Sequence, residues 1–262
     1  MTSLAARHVR REPTIAAAIY DELRGMIVRG RLMPGTRLTE ADVAQGLDAS
    51  RTPAREALRR LAQEGLIVPT SAEPNGKVRH AVAPMTAAEA RELYMAAGAL
   101  EGLVAREVAG LDVAGRRLLA QQLGRAEDAF EREARRKASD WDRLFELHHA
   151  FHRTLIDRLA GPKLRTLLES LRWQLDRYEY FYAPLLGPDF EPTFAEHALI
   201  IKTVAAGKAD PAERAVRGNW FGGAKRLAAV IDHVDVPSLF GGFSSSMARA
   251  DWSGQQVKLR QR

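Results

Sequence analysis

The sequence predicts a mainly α-helical protein: an N-terminal winged helix-turn-helix followed by an antiparallel all-helical bundle. Three observations carry this. A short capped helical segment is joined by Asp48-Ala49 to a second segment opening at Ser50, the close link of a helix-turn-helix. Leu66-Ile67-Val68 and Lys77-Val78-Arg79 then bracket Pro74-Asn75-Gly76, a two-strand hairpin with a glycine turn. From about Thr86 to Val234 the apolar residues recur at three and four positions and strand character is scarce.

The first helix is expected over Ile15–Arg29, with Ile15, Ile19, Leu23, Met26 and Ile27 on one side, and residues 30–35 (GRLMPG) turn the chain. Thr39-Glu40-Ala41-Asp42 is a capping-box-like opening for a short helix through Leu47, whose Val43, Ala44 and Leu47 are apolar. In the next helix Ser50 or Thr52 can cap free backbone N–H groups, and Pro53 suits the first turn, where it loses no amide hydrogen bond. Ala54, Ala57, Leu58, Leu61 and Ala62 form its buried face, and Gly65 stops it.

Beyond the hairpin, Thr86 caps a helix with an acid at Glu89, and Leu93, Leu100 and Leu103 give it a core face. Further helices are expected over Val113–Arg136, Asp140–Leu159, Leu164–Tyr182, Phe190–Gly207 and Pro211–Val230. Gly161-Pro162, Gly187-Pro188 and Gly207 punctuate them, and no internal repeat is evident. With 262 residues, 46% of them hydrophobic, the chain can bury two cores. The expected organisation is a flexible basic arm over 1–12, a winged-helix domain over 13–82, a helical effector-binding and dimerisation domain over 83–235, and a flexible tail over 236–262.

Function concentrates in the helix that starts at Ser50. Arg51, Arg55, Arg59 and Arg60 are left for its outer face. Ser50, Arg51 and Thr52 lie at the tip and Arg55 one turn on, where a helix entering a major groove end-on meets base edges. Arginine can grip guanine O6 and N7 with two hydrogen bonds, and a threonine methyl can meet that of thymine. Asn75, Gly76 and Lys77 at the wing tip are expected near phosphates or the minor groove. A solvated basic face and a plain structural hairpin are the competing readings.

The bundle carries a second constellation. His148 and His152 are four apart and so share one helix face, and His197 comes from another helix. Three imidazoles can hold a divalent ion in a bundle core, although an inward histidine is more often a satisfied core residue. Trp173, Tyr178, Tyr180, Tyr182 and Trp220 supply aromatic surface for a pocket or for ordinary core. A metal-dependent hydrolase is the rival class. No nearby carboxylate with an obvious general-base placement is expected beside the histidines. A protein-binding winged helix on a helical scaffold is the third reading, and it predicts no salt-dependent DNA affinity.

Net charge is +6 and the pI about 9.8; residues 1–80 hold thirteen Lys and Arg against nine Asp and Glu. That sign suits nucleic acid. The absence of cysteine excludes disulfides and thiolate metal sites. No apolar run approaches the roughly 18 residues of a membrane span and no signal-peptide pattern is seen, so a cytoplasmic location without membrane contact is expected.

The segments GRLMPGTRLTEADVAQGL, SRTPAREALRRLAQEGLI and NGKV resemble the winged-helix domain of GntR-type bacterial transcription regulators, over about Tyr20 to Val82. HHAFHRTLIDRLAGPKL with AEHALIIKTVAAGKADPAERAVRGNW resembles the FCD effector domain of the FadR-like subgroup. The resemblance implies a homodimeric DNA-binding regulator, most simply a repressor. Its Arg51 and Arg55, with Thr52 beside them, would read operator guanines in a short inverted repeat, and a small organic acid would tune affinity. It further implies a metal held by an Asp and three His. His152 and His197 match that pattern, His148 stands at the Asp position, Asn219 at the last His, and Ala97 where many members carry an arginine for the effector's carboxylate. With these departures the site either holds Zn²⁺ or Ni²⁺ on His148, His152 and His197, with Asn219 a weak neutral donor, or holds no metal.

Overall fold

The computed structural model describes residues 14–72, 78–182 and 189–231, with the side chains of 71, 72 and 78 left out. Two compact units divide the chain essentially at Ala83 and Pro84. The expected arm over 1–12 and tail over 236–262, and the wing-tip residues Asn75, Gly76 and Lys77, lie outside the described residues.

The first unit contains α1 (Ile15–Val28), β1 (Arg37–Leu38), α2 (Glu40–Gly46), α3 (Arg51–Gln63), β2 (Ile67–Ala72) and β3 (Val78–Val82). Thr39 caps α2, its hydroxyl accepting from the Asp42 N–H at 3.1 Å. The short link to α3 is closed by Asp48 in the left-handed region (φ 48°) and by Ala49 N–H donating to Ala44 C=O. Asp tolerates that backbone better than most side chains. At the other end of α3, Gly65 takes φ 72°, and Leu66 N–H donates back to Leu61 C=O, the bond of a glycine-terminated helix. β1 was not foreseen; it pairs antiparallel with β3, giving a three-stranded sheet in the order β1-β3-β2. Two residues are too few to show alternation in a sequence.

The second unit is helical: α4 (Ala87–Arg106), α5 (Val113–Ala134), α6 (Trp141–Leu159), α7 (Pro162–Tyr182), α8 (Glu191–Ala206) and α9 (Ala209–Ile231), with a 3₁₀ turn over Glu107–Gly110. Thr86, Asp112 and Asp140 cap α4, α5 and α6 through their side-chain oxygens. α4 packs on α9 and α7, and α5 packs on α6 and α8. Gly98 lets the Trp220 Cβ sit 2.9 Å from where its own Cβ would be, so the α4–α9 contact there depends on its missing side chain. Among the described residues no helix is long and apolar enough to cross a membrane.

Candidate functional site

α3 buries Ala54, Ala57, Leu58 and Leu61 and leaves Ser50, Arg51, Thr52, Arg55 and Arg59 exposed. The cap expected from Ser50 or Thr52 is not made. Ser50 holds the capping position without a side-chain hydrogen bond, and Thr52 falls inside the helix. Arg60 is exposed too, as expected, and also stacks over Tyr20 with its guanidinium carbon 3.6 Å from the ring centre and pairs with Glu64, tying α3 to α1. Arg55 is held by Glu40: Nε donates to Oε1 at 2.7 Å and Nη2 to Oε2 at 2.9 Å. Arg51 and Arg59 carry no ion pair among the described residues.

In the bundle, α6 and α8 bring one ring nitrogen each of His148, His152 and His197 within 4.8 Å of one another. His152 and His197 are buried and His148 is partly so. Phe151 lies flat over His197, centroids 3.8 Å apart and planes within 9°, which fixes that imidazole's plane. Three carboxylates that local spacing did not point to stand beside these histidines, each facing a ring nitrogen. Glu101 of α4 places Oε2 2.9 Å from His152 Nδ1, Glu127 of α5 places Oε2 2.5 Å from His197 Nδ1, and Glu179 of α7 lies 3.7 Å from His148 Nδ1. Each comes from a helix distant in sequence, which is why local spacing did not reveal it.

Each of these carboxylates faces the Nδ1 of its ring, a contact of the kind that orients metal-bound imidazoles. With Nδ1 facing Glu127, the other nitrogen of His197, Nε2, is buried and without a hydrogen-bond partner. That orphan is the observation by which the residues fit an ion. Burial pushes the His197 imidazole well below its usual range, reinforced by the neighbouring His148 and His152, and burial also lowers His148. Neutral rings are the form that binds a metal. Burial, with Glu131 and Asp128 nearby, pushes the Glu127 carboxyl up to about 8. Burial would also raise Glu179, but His149 and His148 outweigh it and hold the carboxyl well below the usual range.

His148, His149 and Glu179 form a second close group. Both nitrogens of His149 are engaged there, Nε2 at 2.8 Å from Glu179 and Nδ1 at 2.8 Å from Arg172 Nη2. This group is therefore the poorer ion site.

A cavity with about 690 Å³ of empty space, its mouth included, opens beside the cluster and is lined by His148, Glu179, Asn219 and Arg226 among apolar walls of Tyr94, Phe130, Phe145 and Trp220. Asn219 donates its amide to Glu196 at 2.9 Å, and Arg226 grips the same carboxylate through both terminal nitrogens. Ala97 is fully buried. Of the aromatic residues singled out in the sequence, Trp220 lines the cavity while Trp173 and Tyr178 do not. Tyr178 is used structurally: its hydroxyl donates to Glu89 at 2.5 Å and accepts from the Thr86 N–H at 2.9 Å, fastening α7 to the start of α4.

The comparisons with known proteins agree across both units. Residues 15–71 match the model of the bacterial regulatory proteins of the gntR family, and residues 92–219 match the FCD domain. An HTH-type transcriptional regulator in an unstable DNA locus of Streptomyces ambofaciens is 32% identical over 223 residues, covering 83% of this chain and 84% of that one. The HTH-type transcriptional repressor RspR of Escherichia coli K12 is 30% identical over 200 residues, covering 76% and 82%. Among solved structures, E. coli McbR/YncC superposes with a TM-score of 0.60 at 20% identity, covering 82% of this chain and 98% of that one, which speaks to fold alone. The relatives are regulators, and the three carboxylates near the histidines are all engaged in hydrogen bonds or ion pairs, so the hydrolase reading is not supported. The chain belongs to the GntR family of bacterial transcription regulators, and its helical part is an FCD effector-binding domain.

Proposed function

We propose that the protein is a homodimeric repressor, acting in the cytoplasm, that releases or grips a short inverted-repeat operator according to a small organic acid bound in the bundle cavity. Twofold symmetry would set two copies of α3 on matching half-sites. Arg51 and Arg55 would read guanines, Thr52 a thymine methyl, and Ser50 and Arg59 with Asn75, Gly76 and Lys77 would meet the flanking backbone. The name of the relative RspR supports the repressor sense. The domain limits of 13–82 and 83–235 are those of this reading.

The observation that carries it is the histidine cluster opening on a cavity in a chain whose other unit is a winged helix. His148, His152 and His197 would hold a Zn²⁺ or Ni²⁺ ion, with the Asn219 carbonyl as a weak neutral further donor. When bound, the ion supplies positive charge for an acid's carboxylate. The chain's own groups do the rest: Glu101, Glu127 and Glu179 orient the rings, and Tyr94, Phe130, Phe145 and Trp220 shield the ligand's apolar part from water. The acid would act by favouring one arrangement of the dimer over another.

The test is selection of a binding site from random duplex DNA, followed by gel shift with a panel of small carboxylic acids, with and without EDTA. Sequence-specific binding altered by at least one acid is expected. Binding that no acid or chelator changes would sink the effector part, and absence of any sequence preference would sink the operator part.

A further inference from the structure

We propose that Glu40 is a positioning residue for base reading: its carboxylate holds the Arg55 guanidinium side-on, so that the outer edge of the same group is presented ready-oriented to one operator guanine. This rests on the reading of α3 as the DNA-facing helix.

A guanidinium has five N–H bonds in a fixed plane. Glu40 takes Nε–H and one Nη2–H. The remaining Nη2–H and one Nη1–H run parallel at the far end of the group, the pair that fits guanine O6 and N7. One arginine can therefore serve both partners at once. Glu40 is itself well placed to act as a fixed post. It is the first residue of α2, directly after the Thr39 cap, where a carboxylate is favoured by the helix dipole and its backbone is part of the helix-turn-helix frame. Burial lowers the neighbouring His80 imidazole despite the charge of Glu40, so His80 is largely neutral near pH 7 and does not compete as a cation.

As a stabilising brace the pair has little to offer. The Arg55 side chain is 65% exposed and that of Glu40 35%, and ion pairs this open contribute little to folding. Its consequence for DNA is larger. A free arginine loses its rotamer freedom on binding, whereas a tethered one has already lost much of it. The Glu40 charge also offsets attraction to phosphates, which acts on every sequence alike. The tether thus trades indiscriminate affinity for discrimination at one base pair. Arg51, with no ion pair among the described residues, keeps its attraction to the backbone.

The experiment uses the full chain and a site selected from random duplex DNA. Wild type, E40Q, R55A and the E40Q/R55A double variant are compared on that site and on single-base variants, with thermal midpoints measured in parallel. R55A identifies the base pair that Arg55 reads. At that pair E40Q is expected to lower discrimination about three- to tenfold, to leave or raise affinity for unrelated DNA, to keep the thermal midpoint, and to add nothing once Arg55 is gone. Unchanged discrimination in E40Q overturns the proposal. So does an equal E40Q effect in the R55A background, or a uniform loss on all DNA accompanied by a lower midpoint. Selection that yields no preferred sequence removes the DNA-reading premise itself, a result distinct from the others.

Discussion

Trp220 donates its indole N–H to Oε2 of Glu101 at 2.9 Å, and the same oxygen lies 2.9 Å from His152 Nδ1. One buried carboxylate thus links a wall of the cavity to a ring of the histidine cluster. Replacing Glu101 by Gln keeps the shape and removes the charge. Loss of such an orienting partner typically weakens a metal about 10- to 100-fold. A zinc titration of E101Q against a competing chelator should show that drop, together with altered tryptophan fluorescence. Unchanged zinc affinity would mean that Glu101 serves Trp220 alone.

Arg51→Ala and Arg55→Ala should each cost about 1–3 kcal/mol of specific binding and relax one base pair. Their salt behaviour should differ. Arg51 has no ion pair among the described residues, so its loss should make affinity visibly less salt-dependent. Arg55 is already paired with Glu40, so its loss should change that slope less. Binding measured over a series of salt concentrations checks this, and equal slopes for the two variants would show that Glu40 leaves Arg55 fully available to phosphates.

Much of the fold was legible because it is written locally. Thr39, Thr86 and Asp140 are caps beside the runs they open, and Gly65 and Gly207 close α3 and α8 in the left-handed region. The pairing of His148 with His152 was legible for the same reason, since i and i+4 on one helix share a face, whereas His197 of α8 joins them through packing. What escaped were partners set by tertiary packing. Glu101, Glu127 and Glu179 sit on three helices whose own periodicity does not say which buried acid meets which ring. Arg55 read as a free surface cation because nothing in the spacing of residues 40 and 55 reveals that two helices folded across a tight link bring them together.

Trp220 and Tyr178 should separate cavity from scaffold. Trp220→Ala removes a lining ring, so the thermal shift given by small carboxylic acids should shrink or change its preference among acids. Tyr178→Phe removes the hydroxyl that fastens α7 to α4, lowering stability by about 0.5–1.5 kcal/mol while leaving the acid-induced shift in place. An acid response lost in Y178F but kept in W220A would relocate the ligand to the α4–α7 side.

Glu133 gives the acid limit of the bundle a specific cause. Its carboxylate accepts the Asp140 N–H at 3.0 Å and pairs with Arg136, bracing the turn between α5 and α6 from which His148 is positioned. That backbone hydrogen bond, helped by Arg136 and opposed by desolvation, holds the carboxyl below its ordinary value. A group whose folded value is depressed contributes stability that is present above its unfolded value, about 4.5, and is lost as pH falls through the folded one. Glu133→Gln should therefore lower stability near neutrality and flatten its decline below about pH 4.5. Urea midpoints of the two proteins, compared from pH 7 down to pH 3, should converge. Midpoints separated by the same interval at both ends of that range would show that the side chain acts through shape and hydrogen bonding rather than through its charge.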